Sequence, residues 1–335
     1  MHIDLPLIWA GIVGLCVFLY VLLDGFDLGI GLLFAFFNRE GERQVMLNTV
    51  APIWDGNETW MVLGGATLYA AFPVAYSTLL PAVYLPLVAM LCGLIFRGVA
   101  FEIRAKARRT QPLWDLAFML GSATATFCQG VILGTLLQGI PITDGRFSGD
   151  AFAWVSPFSL LCGLGLLVTY AALGCAWLVM KTDGELQRRM RLTVKPLALA
   201  LLAFIVIVSL WTVLADPTVA DRWFSQQNFL YFAPVPILVV GCVVGIIVGN
   251  TRGREKLPFV LLQAIVFLGY SGLLISMFPN IVPPSLTIWA ASSPPSSQKF
   301  ALVGVLIVLP IVLAYTSLAY WVYRGKVRHN DVGYH

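Results

Sequence analysis

Four carboxylates stand in two short stretches of an otherwise apolar sequence: Asp24 and Asp27 in DGFDLGIG (24–31), Asp55 and Glu58 in PIWDGNETW (52–60). In each stretch the two acids are three residues apart, the spacing that puts side chains on one face of a helix. Carboxylates brought together in a medium of low dielectric cannot all stay ionised, so such a group shares protons and suits their conduction. The same residues also suit a plainer purpose, buried ion pairs and helix ends. Pro52 in a first helical turn with acids after it fits that second reading through the helix dipole. Arg97 is the nearest candidate counter-charge, and four acids against one cation leave a protonatable excess.

The chain around these acids belongs in lipid. It has 335 residues, 59% of them hydrophobic and 11% charged, with a mean hydropathy of +0.85. A soluble domain carries roughly a quarter charged residues. Long apolar runs such as 197–210 lack the period-two alternation of a barrel strand, so the expected fold class is all-α, a polytopic membrane helical bundle. Nine segments are long enough to cross, near 7–37, 48–72, 77–101, 112–139, 157–180, 196–215, 229–249, 258–277 and 300–323. No Lys or Arg precedes the first and no small-residue cleavage site follows it, so it reads as a retained helix.

With nine crossings, one side of the membrane holds eighteen of the 21 Lys and Arg residues, while Arg146, Arg222 and Lys299 fall on the other. That asymmetry predicts an N-terminus outside (periplasmic) and a C-terminus in the cytoplasm. It also explains the runs RAKARR and QRRMR as topology signals facing anionic lipid headgroups, with no nucleic acid required. The chain 1–335 reads as one integral-membrane domain, within which four-helix units over 1–139 and 157–277 plus a last helix at 300–323 would fit a duplicated plan. The Pro- and Ser-rich stretch 278–299 reads as an irregular cap.

If the turn between the first two crossings centres near Glu42, the two acidic pairs sit at similar depth, with Asp55 about 10 Å inside its helix. The Gly25–Gly29 step admits a close neighbour, which would bring the two acidic faces together. Glu102 with Lys106 has the spacing of a helix-end pair, and Asp115 that of a cap or dipole partner. Trp9, Trp114, Trp154, Trp289 and Trp321 fall near membrane edges and read as interfacial anchors; Gln129 and Gln138 are placed to bond across helices.

Donor chemistry narrows the cofactors. Haem between membrane helices usually needs imidazole, and the three histidines are His2, His329 and His335, all at the chain ends. The six cysteines fall inside expected helices with no C-x-x-C spacing, as small packing residues do. Neither a haem ligated by this chain nor a metal site is expected.

DGFDLGIG (24–31), NTVAPIWDGNETW (48–60), LIFRGVAFEIRAK (94–106) and LLQGIP (136–141) resemble, in order and placement, subunit II of the cytochrome bd-type quinol oxidases, including the cyanide-insensitive branch. The resemblance implies a haem-free subunit of a bacterial inner-membrane terminal oxidase of aerobic respiration. Such an enzyme is an electrogenic quinol:O2 oxidoreductase. Its haem-bearing subunit I carries two b-type haems and one d-type haem, and the complex oxidises quinol at the outer face and reduces dioxygen to water with cytoplasmic protons. It implies that Asp55 and Asp24, with Glu58 beside them, line the proton-uptake path. Asp27 and Arg97, with Trp54 beside them, would maintain the haem environment across the subunit interface. It extends to a structural quinone and a small accessory subunit as further components. The competing class is a proton-coupled secondary transporter, which also uses membrane carboxylates. A transporter works alone, whereas a subunit co-purifies with a partner that shows a haem spectrum.

Overall fold

Asp4 opens the first helix: its carboxylate accepts from the Leu7 amide at 3.2 Å, and Pro6 follows in the first turn, where a missing N–H costs nothing. From there the computed structural model describes residues 4–37, 39–107, 109–143, 146–215, 217–225 and 232–328. All three histidines lie outside the described residues. Helix α1 (Leu5–Leu33) runs 29 residues and ends in a 3-10 turn, Phe34–Phe36. At 1.5 Å per residue it is about 44 Å long, more than a hydrocarbon core requires.

A short helix α2 (Glu40–Asn48) follows, then a turn, then α3 (Trp54–Ala71). Glu42 therefore lies on a helix of its own rather than at the centre of a turn, and Pro52 lies before α3 instead of in its first turn. The expected crossing 77–101 is likewise broken, into α4 (Pro73–Ala82) and α5 (Tyr84–Arg104) with Val83 between them. Pro86 has no N–H to give the Ala82 carbonyl, so the helix cannot run through. Next come α6 (Gln111–Gln138), α7 (Pro157–Lys181), α8 (Gly184–Ala215), α9 (Pro217–Phe224), α10 (Pro234–Thr251) and α11 (Leu257–Met277). The chain closes with α12 (Ile288–Ala291) and α13 (Pro295–Val322). Helix α8 begins twelve residues before the expected start because the basic run 184–195 is itself helical. The stretch 278–299 is more regular than expected. It holds an antiparallel pair, β3 (Asn280–Val282) with β4 (Leu286–Thr287), as the α6–α7 connection holds β1 (Ile142–Thr143) with β2 (Arg146–Phe147).

Eight of the described helices are long and apolar enough to cross a membrane: α1 with its 3-10 turn, α5, α6, α7, α8, α10, α11 and α13. Helix α3 is not among them, since Asp55, Asn57, Glu58 and Thr59 crowd its first two turns.

Helix α1 packs against α3, α6 and α7, and from Asp24 to Gly31 it is buried all round. Its glycines set how close those neighbours come. A Cβ on Gly29 would lie 1.8 Å from the Tyr170 carbonyl oxygen, and one on Gly174 would lie 2.6 Å from the Gly29 carbonyl carbon. Gly25 faces the Tyr170 ring and Gly31 faces Ser122. The close approach is thus made to α7 and α6, not to the acidic face of α3 as expected. Trp9 is fully buried, in a second apolar cluster with Phe72, Ile140 and Val282, rather than anchored at an interface. Trp289 and Trp321 are exposed.

The segment after α13 is strapped over the ends of α7, α8 and α10. Lys181 donates to the Tyr323 and Gly325 carbonyls, and the Val327 amide to the Lys181 carbonyl at 2.8 Å. Lys326 reaches Glu255 at 2.8 Å, Gln187 donates to Glu255 at 2.9 Å, and Arg328 pairs with Asp183 at 3.1 Å. The hydrogen bonds from Lys326 and then Gln187 hold the Glu255 carboxyl below its ordinary value.

Two outcomes follow from this packing. Gly29→Ala should destabilise the fold by about 1–3 kcal/mol or prevent assembly, whereas Gly11→Ala on the same helix, with open space around it, should be neutral or stabilise by about 0.5–1 kcal/mol. Thermal unfolding of both variants in detergent tests the contrast, and equal melting points would contradict it. Because the folded-state value of Glu255 is depressed, its contribution is present above the ordinary 4.5 and is lost as pH falls below it. The strap should therefore loosen in that acid range, measured as mobility of a spin label at 326–328, and Glu255→Gln should be loosened already at neutral pH.

Candidate functional site

The acids of α1 and α3 meet on an arginine. Arg97, on α5 and fully buried, donates to Asp24 at 2.5 Å through Nη1 and to Glu58 at 2.9 Å through Nη2. Asp24 is fully buried and the Glu58 side chain is 22% exposed. The guanidinium lies over the Trp54 ring, 5.8 Å from its centroid, and Trp54 in turn stacks on Phe101 at 5.0 Å with planes 9° apart. Helix α5 reaches this point because Gly93 and Gly121 let α5 and α6 touch backbone to backbone. A buried arginine without partners would be prohibitively costly, and two charge-assisted hydrogen bonds offset that cost.

Asp27, one turn along α1 and also fully buried, stands apart from the arginine. Its Oδ2 accepts from Asn57 Nδ2 at 2.7 Å. Asn57 Oδ1 accepts from the Tyr320 hydroxyl at 3.0 Å, which brings α13 to the site. Beside Asp24, and one helical turn before it on α1, the Tyr20 hydroxyl accepts from Gln129 on α6 at 2.7 Å, and Gln129 accepts from the Tyr170 hydroxyl at 3.0 Å. Asp24 Oδ2, Asp27 Oδ1 and Arg97 Nε are buried without a hydrogen-bond partner within the chain. Three carboxyls thus share one arginine and one asparagine, with two carboxyl oxygens left to hold protons or water.

The structure gathers Asp24, Glu58, Arg97 and Trp54 into one contact group and ties Asp27 to it through Asn57. It leaves Asp55 at the edge: that residue is exposed in the first turn of α3, one helical turn before Glu58. Asn57, Tyr20, Tyr170 and Tyr320 join the site in addition to the residues expected from the sequence. Asn57 sits inside the WDGNETW motif and Gln129 bonds across helices as its position suggests, whereas nothing local distinguishes the three tyrosines.

A second charged cluster joins α2, α5 and α6. Asp115 accepts from Arg43 at 2.7 Å and from Arg104 Nε, and Arg104 also reaches Gln44 at 2.9 Å and Glu40 at 3.0 Å. Asp115 is therefore an ion-pair partner across helices and not a cap. Among the described residues no ion pair joins Glu102 to Lys106.

The donor set of this chain does not fit a haem in its interior. No histidine occurs between His2 and His329, and the described residues contain no group of three His, Cys, Asp or Glu side chains placed to hold a metal.

Comparison with known proteins agrees over the whole length. The family model described as cytochrome bd terminal oxidase subunit II matches residues 5–323. Relatives include the cytochrome bd-I ubiquinol oxidase subunit 2 of Escherichia coli, 29% identical over 98% of this chain and 96% of that protein. The cytochrome bd ubiquinol oxidase subunit 2 of Bacillus subtilis is 30% identical over 97% of each. A chain in the solved structure of the bd oxidase from Geobacillus thermodenitrificans shares the fold, with a TM-score of 0.76 at 16% identity over 96% of this chain and 99% of that one. A bundle of membrane-length helices closed around an arginine-bridged acid cluster, matched along nearly its full length by one family, belongs to that family: this chain is a subunit II of a cytochrome bd terminal oxidase, a protein of the bacterial inner membrane.

Proposed function

We propose that this subunit supports the haem-bearing subunit I of a quinol oxidase and conducts protons from the cytoplasm toward the site of dioxygen reduction. The observation that carries the reading is the Asp24–Arg97–Glu58 cluster, buried and holding more carboxyls than counter-charges. Asp55, exposed at the start of α3, takes a proton from water. Glu58, one turn on and partly exposed, receives it and passes it to Asp24 around the arginine. Arg97 keeps the transient negative charge tolerable without itself titrating. Asp27 and Trp54 border this route and, with Arg97, shape the surface toward subunit I.

The haems, two of b type and one of d type, belong in this reading to subunit I, where they supply the electron chemistry. A structural quinone and a small accessory subunit are compatible with it. Helix α3 is the ninth crossing, too polar to be stable in lipid alone and covered by its neighbours and the partner. With nine crossings the eighteen-to-three division of Lys and Arg places the N-terminus outside and the C-terminus in the cytoplasm. The transporter reading has no comparable support, since the full-length relatives are oxidase subunits.

In the purified complex, Asp55→Asn should lower quinol:O2 turnover about tenfold or more while haem spectra and assembly stay normal; full turnover would contradict the proton role. Arg97→Ala strands Asp24 and Glu58 without their counter-charge, a loss of about 3–5 kcal/mol for a buried pair. It should therefore reduce haem retained by the complex, and unchanged haem content in the reduced-minus-oxidised spectrum would count against that.

A further inference from the structure

Asn57 lies inside the conspicuous motif on α3, yet the proton route described above gives it no role. It is 1% exposed, and each of its polar bonds is made to a different group. Its Nδ2 donates to Asp27 Oδ2 at 2.7 Å and to the Leu23 carbonyl at 3.3 Å, both on α1. Its Oδ1 accepts from the Tyr320 hydroxyl at 3.0 Å. An amide has two N–H donors and a carbonyl oxygen with two lone pairs, so both donors and one of the two acceptor positions are in use. Turning the amide over would set its oxygen against the Asp27 carboxylate and the Leu23 carbonyl, two acceptors, and its nitrogen toward Tyr320. The Leu23 carbonyl, which can only accept, therefore selects which end of Asn57 faces Asp27, and the Tyr320 hydroxyl braces that orientation by donating to Oδ1.

Tyr320 is itself held in place. Its ring meets Phe26 at 6.5 Å and Trp177 at 6.2 Å, both edge to face. This fixation stands out on α13, where only Gln298 is fully buried. Of the two Asp27 oxygens, Oδ2 is thus held by a fixed donor, while Oδ1 is buried with no partner. The charged and titratable groups facing Asp27 are Asp24 on its own helix, Glu58 on α3, Arg97 on α5 and Tyr320 on α13.

From this geometry we infer that Asn57 is a positioning residue for Asp27, oriented by the Leu23 carbonyl and braced by Tyr320 from the last helix, so that one carboxyl oxygen is fixed and the other is left to exchange a proton within the Asp24–Glu58 group. The inference rests on the proton-conducting reading and extends it: Asp27 becomes a proton-exchanging member of the cluster, and α13 becomes part of the apparatus that sets its state.

The test uses the intact oxidase complex with Tyr320→Phe, which keeps the ring and removes the hydroxyl, and with Asn57→Leu, which removes both polar ends. The readouts are kcat and KM for quinol and the pH profile of kcat. Tyr320→Phe should lower kcat several-fold, and Asn57→Leu about tenfold, the value of roughly one hydrogen bond to a charged group. In both, KM should be unchanged and the pH profile displaced in the same sense. A wild-type kcat, or a reduced kcat with an undisplaced profile, overturns the positioning role; if Asn57→Leu does not assemble, Tyr320→Phe alone decides it. Asp24→Asn in the same assay separates the two levels. Full turnover there overturns the proton route and with it this inference, whereas slow Asp24→Asn beside wild-type behaviour of Tyr320→Phe overturns the positioning role alone.

Discussion

A guanidinium with no exposure to solvent, bonded to Asp24 on one side and Glu58 on the other, is the constraint around which the helices are arranged. Removing an arginine from water costs several kcal/mol even after relaxation, and only well-placed anionic partners recover it. Helices α1, α3 and α5 must therefore stay in register to within a fraction of an ångström, because each supplies one member of the group. Removing the arginine would strand both carboxylates, so it is a requirement of folding as well as part of the candidate site, whereas neutralising Asp24 leaves Arg97 paired with Glu58. The excess of carboxyl over guanidinium charge separates it from a simple ion pair. A neutral buried pair needs no proton, and this group does.

The register is set largely by residues without side chains. Gly29 against Tyr170 and Gly174, and Gly93 against Gly121, bring α1 onto α7 and α5 onto α6 at backbone contact. Between lipid-facing helices there is little hydrophobic driving force, so such close packing and the polar bonds across it carry much of the association. The same face-by-face division explains why α1 can hold two carboxylates: its glycines face α7 and α6, while Asp24 and Asp27 are turned toward α5 and α3. The second charged cluster, Arg43 and Arg104 on Asp115, fastens α2 to α5 and α6 in a comparable way near the basic ends of these helices.

The membrane class, the helical character and the acid-bearing segments were legible because they rest on local signals, long apolar runs and charges inside them. The family was legible from four short motifs in order. Breaks were less so. Pro86 divides α4 from α5, and the turn at 49–53 divides α2 from α3, but a hydropathy count runs through both. Contacts between distant residues were the least accessible. Tyr320 lies 263 residues from Asn57 and Arg43 lies 72 from Asp115. Nothing in the neighbourhood of either tyrosine or arginine announces its partner. Gly25 and Gly29 were recognised as packing glycines but assigned to the wrong neighbour, since a small-residue step shows that a helix approaches and not which one. Asp55 and Glu58 show the limit of spacing arguments at a helix end: three residues apart, one is exposed and the other is drawn onto a buried arginine.

If protons reach the partner's reaction site through the carboxyls gathered on Arg97, their passage sets the pace of dioxygen reduction. Proton uptake from the medium can be followed as the fully reduced complex reacts with dioxygen in a single turnover. In a complex carrying Asp24→Asn with normal haem content, uptake should be slowed about tenfold or more while electron transfer steps that precede it keep their rates. Uptake at the wild-type rate in that variant would exclude a path through these carboxyls.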